Sequence, residues 1–279
     1  ITKEEFMTRY EQIVHKSAQV LAEDMDIDQE SASLIVPTLV VLKNFLDAFH
    51  AESLWLPGVS LLDGIAYDFG EKKKFIKSGH NFENDILVAS RNIAKRYSTS
   101  KSHIQGTTDV ALAIFDSIRK IHGMEARQRL LLQIAAQLHD CGKYISMGDV
   151  AECSYRIIMA TEIIGLSTEE RKIIANAVRY NTTDFVSYEL LKDEDTGLDR
   201  SQYLLIAKLT AILRLANAMD RSHYQKVKGI KAVLKERELQ LVVDSDQDIS
   251  LELGLLKDKV QFFEEVFGVR LVLRRKRKM

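Results

Sequence analysis

The sequence predicts a mainly α-helical fold: a helical bundle with a partial α/β edge on its N-terminal side and a small α/β module on its C-terminal side. Only two prolines and 13 glycines occur in 279 residues, so long uninterrupted helices are expected. Apolar side chains recur at helical spacing through most of the chain, and strict alternation is confined to a stretch near the C-terminal end. Apolar residues make up 46%, which suffices for a buried core, and the length predicts more than one domain.

Residues 1–79 are predicted to form the closing part of an α/β domain and a linker. After a first helical pattern, residues 32–49 read as a buried helix with Pro37 in its first turn. The short apolar run Ser53–Leu56 precedes a Pro-Gly pair, which is typical of a strand that ends in a turn. A capped helix over residues 61–69 follows. Because further strands of such a domain are not in this sequence, we expect the chain to be part of a longer protein.

Residues 80–226 are predicted to form the helical bundle. Six segments each carry an apolar face with a period of about 3.6 residues. They are Ile86–Tyr97, Ile104–His122, Arg127–His139, Ser154–Ile164, Thr168–Tyr180 and Tyr203–Ala218. Consecutive helices of this kind indicate a bundle with one shared core.

Residues 227–279 are predicted to form the C-terminal module. Residues 230–243 alternate apolar and polar side chains around a central turn, as in a β-hairpin. Residues 251–267 then have helical spacing, a glycine ends that helix, and residues 269–273 read as a final strand.

Composition and charge narrow the classes of function. The net charge of −1 gives no bulk attraction to nucleic acid, so no sequence-specific nucleic-acid partner is expected. No segment reaches the roughly 20 consecutive apolar residues of a membrane span, and no signal peptide is present. The two cysteines form no disulfide framework, which suits a reducing compartment. We therefore expect a cytoplasmic protein without a membrane partner.

The most informative motif is His139-Asp140, which ends an apolar predicted helix. Neutral imidazole and carboxylate are common ligands of divalent metals. His103 opens another predicted helix 36 residues earlier, and this spacing suits an antiparallel helix pair whose ends meet. Asp220 follows a later helix and offers a further carboxylate. This His, His-Asp, Asp order on a helical bundle is the pattern of an HD-type metal site.

Four segments of the chain carry a resemblance to a known family. They are Gln137–Ser146, Ile173–Tyr180, Ile212–His223 and Phe262–Gly268. Taken together, they resemble the C-terminal part of the exopolyphosphatase/guanosine pentaphosphate phosphatase (Ppx/GppA) family over nearly the whole chain. The resemblance implies an HD-like helical domain over residues 80–226. It also implies that residues 1–79 close an actin-like lobe.

The chain departs from that family at three positions that matter for a metal. Cys153 and Asn181 stand where the family usually has His, and Asn217 stands where it has Asp. Amides are poor ligands for zinc or iron, and a lone thiolate does not restore the charge of a carboxylate. A bound divalent metal is therefore not favoured. The candidate ligands that remain in this degenerate site are His103, His139, Asp140 and Asp220.

The resemblance also implies a function. The family hydrolyses phosphoanhydrides, but this sequence has no glycine-rich phosphate loop, so no catalytic residue is assigned and activity of the chain alone stays open. The chain is instead expected to bind polyphosphate or guanosine polyphosphate electrostatically and to form a homodimer. The candidate phosphate-binding residues are Lys143, Arg179, Arg214, Arg221 and Lys226.

Two other interpretations stay open on the sequence. In one, the protein is a metal-dependent HD-type phosphohydrolase that acts on a nucleotide or phosphoester. In the other, the helical domain is purely structural: His139 is a core histidine, His103 and His223 lie on the surface, and the arginines form internal ion pairs. Metal analysis and the salt dependence of polyphosphate binding distinguish these interpretations.

Overall fold

The chain divides into two compact units, Ile1–Gly79 and His80–Met279. The computed structural model of the protein describes residues 1–77, 79–194, 197–220, 222–224, 226–227 and 229–276, without the side chains of residues 194, 257 and 258. Arg221, a predicted phosphate-binding residue, lies outside the described residues.

The first unit is helical where a mixed α/β pattern was expected. Its helices are α1 (Lys3–Ile13), α2 (Ala18–Met25), α3 (Gln29–Ala48) and α4 (Leu61–Lys72). Each begins after a Thr, Ser or Asp whose side chain accepts a hydrogen bond from a backbone N–H of the first turn. Phe6, Leu21 and Leu46 are buried between these helices.

Two predictions for this unit are wrong. The strand predicted at Ser53–Leu56 is absent from the described structure apart from an isolated bridge between Thr2 and Ser53, and Trp55 is 87% exposed. The apolar run finds no partner strand there, so its backbone cannot form a ladder. Pro37 lies inside α3 and not in its first turn, because the side chain of Asp28 caps the helix earlier than predicted.

Helix α3 is also long and apolar enough, by length and composition alone, to cross a membrane. The sequence prediction missed this because scattered polar residues interrupt the apolar run without removing its overall apolar character. The same composition suits a helix that packs against other apolar elements of a protein.

The second unit contains the predicted bundle. Its helices are α5 (Phe82–Arg96), α6 (Lys101–Ser117), α7 (Arg119–His122), α8 (Ala126–Leu138), α9 (Val150–Ala160), α10 (Thr168–Arg179), α11 (Tyr188–Glu194) and α12 (Arg200–Ala218), with a 3₁₀ turn at Cys141–Tyr144. The mainly α prediction is confirmed. One predicted helix is broken at Ile118, which is fully buried between α6 and α7. Helix α12 packs against α6, α8 and α10 and is buried along most of its length.

The C-terminal segment adds a three-stranded sheet and one helix to this unit. They are β1 (Gly229–Lys235), β2 (Glu238–Asp244), α13 (Ser250–Phe267) and β3 (Arg270–Arg275). The predicted hairpin is confirmed: β1 pairs antiparallel with β2, which pairs parallel with β3. Helix α13 packs on α12 and β1 packs on α6, so the sheet and the bundle share one core.

Candidate functional site

Two helix ends bring His103 together with His139 and Asp140. The hydroxyl of Ser100 accepts a hydrogen bond from the backbone N–H of His103, which places His103 in the first turn of α6. Helix α8 ends one residue before His139, so the chain leaves the helix at His139-Asp140. Because α6 and α8 pack against each other, the start of one meets the end of the other. The spacing in the sequence predicts this arrangement.

The three side chains present ligand atoms to one point. Nε2 of His103 lies 3.1 Å from Nε2 of His139 and 3.7 Å from Oδ2 of Asp140. Nε2 of His139 lies 3.7 Å from Oδ1 of Asp140. All three residues are more than nine-tenths buried. Two imidazoles and one carboxylate so close together form the donor set of a divalent metal centre.

The outer hydrogen bonds of the two imidazoles fix their tautomers. Nδ1 of His139 lies 2.8 Å from the carbonyl oxygen of Ala136, which can only accept, so Nδ1 carries the hydrogen. Nδ1 of His103 likewise lies 2.8 Å from Oδ2 of Asp220. When both imidazoles are neutral, each Nε2 therefore carries a lone pair on the side that faces the other ring. This is the orientation that second-shell partners impose on metal-ligating histidines.

The charge state of His103 agrees with this assignment. Burial, and then the positive charge that His139 carries when protonated, lower the pKa of His103 to about 4. Neutral His103 cannot donate from Nε2 once Nδ1 carries the hydrogen, so this nitrogen offers a lone pair toward Nε2 of His139, 3.1 Å away. The contact is favourable when either a proton or a metal cation lies between the two nitrogens.

The residues present fit a divalent metal. Metal–nitrogen bonds of about 2.0–2.1 Å place two ligating nitrogens roughly 2.9–3.4 Å apart at octahedral and tetrahedral angles. The 3.1 Å between the Nε2 atoms of His103 and His139 lies within that range. Asp140 would be the third ligand, and a three-residue set leaves coordination positions open for an oxygen ligand.

Asp140 is held in its charged form at the edge of this cluster. Burial alone would raise the pKa of Asp140, but the nearby charges of His139 and Lys143 outweigh that effect and the pKa lies below its usual value. The ammonium of Lys143 lies 2.5 Å from Oδ2 of Asp140. Lys143 is the predicted phosphate-binding residue that the structure places directly at the cluster.

Asp220 has a different position from the other three candidate ligands. It follows the C-terminal end of α12 and contacts Nδ1 of His103, whereas His139 and Asp140 face Nε2 of that ring. The structure thus places Asp220 as the partner that orients His103, in a carboxylate–histidine pair.

The sequence did not single out His223 as a site residue. Its ring stacks on that of His103 with a centroid distance of 3.7 Å, and its Nε2 lies 3.4 Å from the ammonium of Lys143. The backbone of His223 has a φ of 57°, which is uncommon for a residue other than glycine. Such strain is concentrated at functional sites. Its closeness in sequence to Asp220 was the one available signal.

Two clefts open on the cluster. One is a cavity of about 540 Å³, lined by Asp140, Lys143, Met147, Gly148, Asp149, Val150, Ala151, Thr182, Thr183 and His223. The other is a cavity of about 340 Å³, lined by Tyr97, Ser98, Thr99, Ser100, Asp140, Lys143, Tyr144 and His223. Because Asp140, Lys143 and His223 line both, the two cavities meet at the cluster. Each has a volume suited to a small ligand.

Comparison with protein families agrees with the geometry of this unit. The family model of Ppx/GppA phosphatase, domain III, matches residues 88–261. This match covers more than half of the chain and includes the His–Asp cluster. The chain belongs to the Ppx/GppA phosphatase family. The resemblance seen in the sequence is thereby confirmed.

The other predicted phosphate-binding residues of this Ppx/GppA chain have partners within the protein. Arg179 pairs with Glu152 at 3.1 Å. Lys226 pairs with the buried Glu252 at 3.3 Å. These ion pairs join segments far apart in sequence, so the sequence pattern gave no sign of them.

Arg214 is buried within the second unit. Its guanidinium donates hydrogen bonds to the carbonyl oxygens of Tyr180 and Thr183 and lies over the ring of Phe262. It thus ties α12 to the segment after α10 and to α13. Among the described candidates, Lys143 is the one that lines the two clefts at the His–Asp cluster.

The three departures from the Ppx/GppA pattern lie at positions other than the three converging ligands. Cys153 is a free thiol on α9 and is not part of the metal-type group. Asn181 and Asn217 line a cavity of about 200 Å³ together with Arg214, and Thr182 lines both this cavity and the larger cleft. The sequence argument against a metal was based on these positions.

Proposed function

We propose that the helical unit of this Ppx/GppA chain binds the phosphate groups of polyphosphate or guanosine polyphosphate in the cleft above the His–Asp cluster. A divalent cation held by Nε2 of His103, Nε2 of His139 and the carboxylate of Asp140 would supply positive charge to a phosphate oxygen there. The observation that carries the proposal is the convergence of two Nε2 atoms, 3.1 Å apart, with the carboxylate of Asp140 beside Lys143.

The charges that line the larger cavity explain why a cation is needed. Lys143 is the basic side chain among the described residues that line it, whereas Asp140 and Asp149 both line it. Burial, and then the charge of Lys143, lower the pKa of His223, so this imidazole adds no positive charge near neutral pH. The protein alone therefore repels phosphate at this place, and a divalent cation reverses the sign.

The first turn of α9 adds a second attraction for anions. Asp149 precedes the helix and its side chain makes no capping hydrogen bond, so the first backbone N–H groups of α9 are not used by this side chain. Val150 and Ala151 of this turn line the cavity, as do Thr182 and Thr183. The positive end of the helix dipole favours a phosphate here.

Binding of inorganic tripolyphosphate to the full chain tests this proposal. We expect binding in the presence of Mn²⁺, little binding after treatment with a chelator, and a decrease as salt rises. Lys143→Ala should weaken the binding of tripolyphosphate about tenfold, because a charge-assisted hydrogen bond is lost.

Lys231→Ala is the matched control. Lys231 is exposed on β1, and this strand packs on the half of α6 that is remote from His103. Equal binding with and without Mn²⁺, or no effect of Lys143→Ala, would refute the proposal.

A metal-dependent phosphohydrolase is the second candidate function. It is favoured by one observation, namely that the triad supplies three protein ligands and leaves coordination positions open, as catalytic sites do. Release of phosphate from a nucleotide or phosphoester by the full chain with Mn²⁺, abolished in His139→Ala, would support it. Tight binding of the nucleotide or phosphoester without release of phosphate would support the proposed binding function alone.

We also propose that the chain forms a homodimer. Several large apolar side chains of the first unit are exposed, and exposed apolar patches of this kind support association. They include Leu34, Phe49, Trp55, Leu61 and Leu62. Sedimentation velocity should detect a dimer that Leu61→Ser and Trp55→Ser weaken. A monomer at all concentrations would contradict this part of the proposal.

A further inference from the structure

A cavity where α12, α13 and the segment after α10 meet contains polar groups that the proposed function does not use. It has a volume of about 200 Å³. The converging donors of the His–Asp cluster are not part of its lining, so the cavity needs an explanation of its own. The residues whose chemistry matters here are Asn181, Arg214, Asn217, Ala218, Leu255 and Lys259.

Arg214 brings to this cavity a positive charge that has no carboxylate partner among the described residues. Its guanidinium donates to the carbonyl oxygens of Tyr180 and Thr183, which carry no net charge, and it has further N–H donors that these two bonds do not use. Burial lowers the pKa of Arg214, and the negative charge of Asp184 offsets this effect only in part. A buried guanidinium in this situation favours a bound anion.

Two asparagine amides line the same space. Asn217 lies three residues after Arg214, on the same face of α12. Asn181 follows the end of α10 and is 3% exposed, and its Oδ1 has no hydrogen-bond partner in the described part of the chain. A buried acceptor without a donor is costly, so a ligand that donates a hydrogen bond to Asn181 is favoured.

The remaining lining separates classes of anion. Ala218 and Leu255 offer an apolar wall, which an inorganic anion cannot use and a short hydrocarbon chain can. Lys259 lies one turn after Leu255 on α13 and adds a second positive side chain. Two positive groups repel an ammonium group, so the donor to Asn181 is better supplied by a hydroxyl than by an amine.

We propose that this cavity binds a small α-hydroxy carboxylate with a short apolar chain. The carboxylate pairs with the guanidinium of Arg214, and the hydroxyl donates to Oδ1 of Asn181. The apolar chain lies against Ala218 and Leu255. Because no divalent cation takes part, this site is independent of the function proposed above.

Calorimetry on the full chain, freed of divalent ions, tests the recognition of the ligand. We expect 2-hydroxyisovalerate to bind about tenfold more tightly than isovalerate, which lacks the hydroxyl. Asn181→Ala should make the two affinities equal, because the acceptor of that hydroxyl is lost. L-Valine has an ammonium in place of the hydroxyl, and inorganic phosphate has no apolar chain, so both should bind more weakly than 2-hydroxyisovalerate.

Asn217→Asp tests the role of charge. A carboxylate one turn from Arg214 pairs with the guanidinium, so the affinity for 2-hydroxyisovalerate should fall about tenfold, while the temperature of thermal unfolding does not decrease. Asn92→Asp is the matched control, because it makes the same change at an exposed position of α5, a helix that does not line the cavity.

The assignment is overturned if the wild-type chain does not bind 2-hydroxyisovalerate, or binds isovalerate, L-valine or inorganic phosphate equally well. It is also overturned if Asn217→Asp binds 2-hydroxyisovalerate as tightly as Asn92→Asp does. None of these results changes the expected binding of tripolyphosphate with Mn²⁺, which depends on the His–Asp cluster.

Discussion

The orientation of the His103 ring decides what the cluster can bind. Its Nδ1 hydrogen is held by Asp220, and its face is covered by His223, so Nε2 has one direction left, toward His139 and Asp140. Rotation of this ring would lose the hydrogen bond to Asp220. The carboxylate of Asp220 therefore orients His103 without being one of the three converging donors.

Asp220→Asn tests this role. The amide no longer provides a charged acceptor for Nδ1 of His103, and we expect the affinity for Mn²⁺ to fall about 10- to 100-fold with little change in helical content. The control is Asp109→Asn. Asp109 is exposed on α6, the helix that carries His103, and its carboxylate accepts a hydrogen bond from Gln105. An affinity equal to that of the control would show that Asp220 does not orient the ligand.

The low pKa of His103 predicts a pH dependence of stability for the metal-free chain. In the folded protein this pKa is about 4, whereas the ordinary value is 6.5. The unfolded chain therefore takes up the proton first as pH falls, and the free energy of unfolding decreases between pH 6.5 and 4. The upper limit of this loss is about 3 kcal/mol.

Urea denaturation across that pH range measures the effect. His103→Gln should have a smaller decrease in the free energy of unfolding than the wild-type chain, since the other titrating groups are common to both. An identical pH dependence in the two proteins would contradict the assignment of this effect to His103.

Local motifs made part of the site predictable. His103 and His139-Asp140 were found because helix spacing fixes where such residues meet. His223 could not be found in this way, because its position depends on the left-handed backbone after α12. The roles of Arg179 and Lys226 depend on Glu152 and Glu252, which approach only after folding.

At the scale of elements, the contact between the 3₁₀ turn and α9 positions the larger cleft. The backbone N–H of Gly142 donates to the hydroxyl of Ser154, 2.8 Å away, and a Cβ at Gly142 would collide with the backbone of Val150 and Ser154. Glycine is therefore required for the turn to approach α9 so closely. This approach holds the first turn of α9 beside Asp140 and Lys143.

Gly142→Ala should lower the free energy of unfolding by about 1–3 kcal/mol, because backbone atoms have to move to admit the methyl group. Tripolyphosphate affinity should fall as well, since α9 shifts from the cleft. Gly106→Ala is the matched control: Gly106 lies inside α6 with open space at its Cβ, so this change should be stabilising by up to about 1 kcal/mol. Thermal unfolding of both variants measures the contrast, and equal destabilisation would contradict the packing argument.

Helices and strands could be predicted from the sequence where the apolar side chains repeat regularly over a long segment. The helices of the second unit and the hairpin were recognised because each has a long apolar face or strict alternation. The short run Ser53–Leu56 has too few residues for its period to decide between strand and irregular chain. The break at Ile118 was missed because an apolar residue continues the helical pattern there while the backbone turns.

At the scale of the whole molecule, the net charge and the charges near the cluster lead to different expectations about the binding of anions. A chain of net charge −1 has no general attraction for polyanions, and several of its described basic side chains form ion pairs within the protein. In the proposed function, attraction of a phosphate to the helical unit would therefore depend on a divalent cation beside Lys143 and the start of α9. Binding of that cation is the condition for the proposed binding of phosphate.

The metal content of the purified chain tests most directly whether the helical unit binds a divalent cation. The full chain, equilibrated with Mn²⁺ or Zn²⁺ and then freed of loosely held ions, should retain one divalent ion per chain by elemental analysis. His139→Ala should lose it while its circular dichroism stays helical. A wild-type chain that retains no ion above the level of His139→Ala would contradict the assignment of His103, His139 and Asp140 as a metal centre.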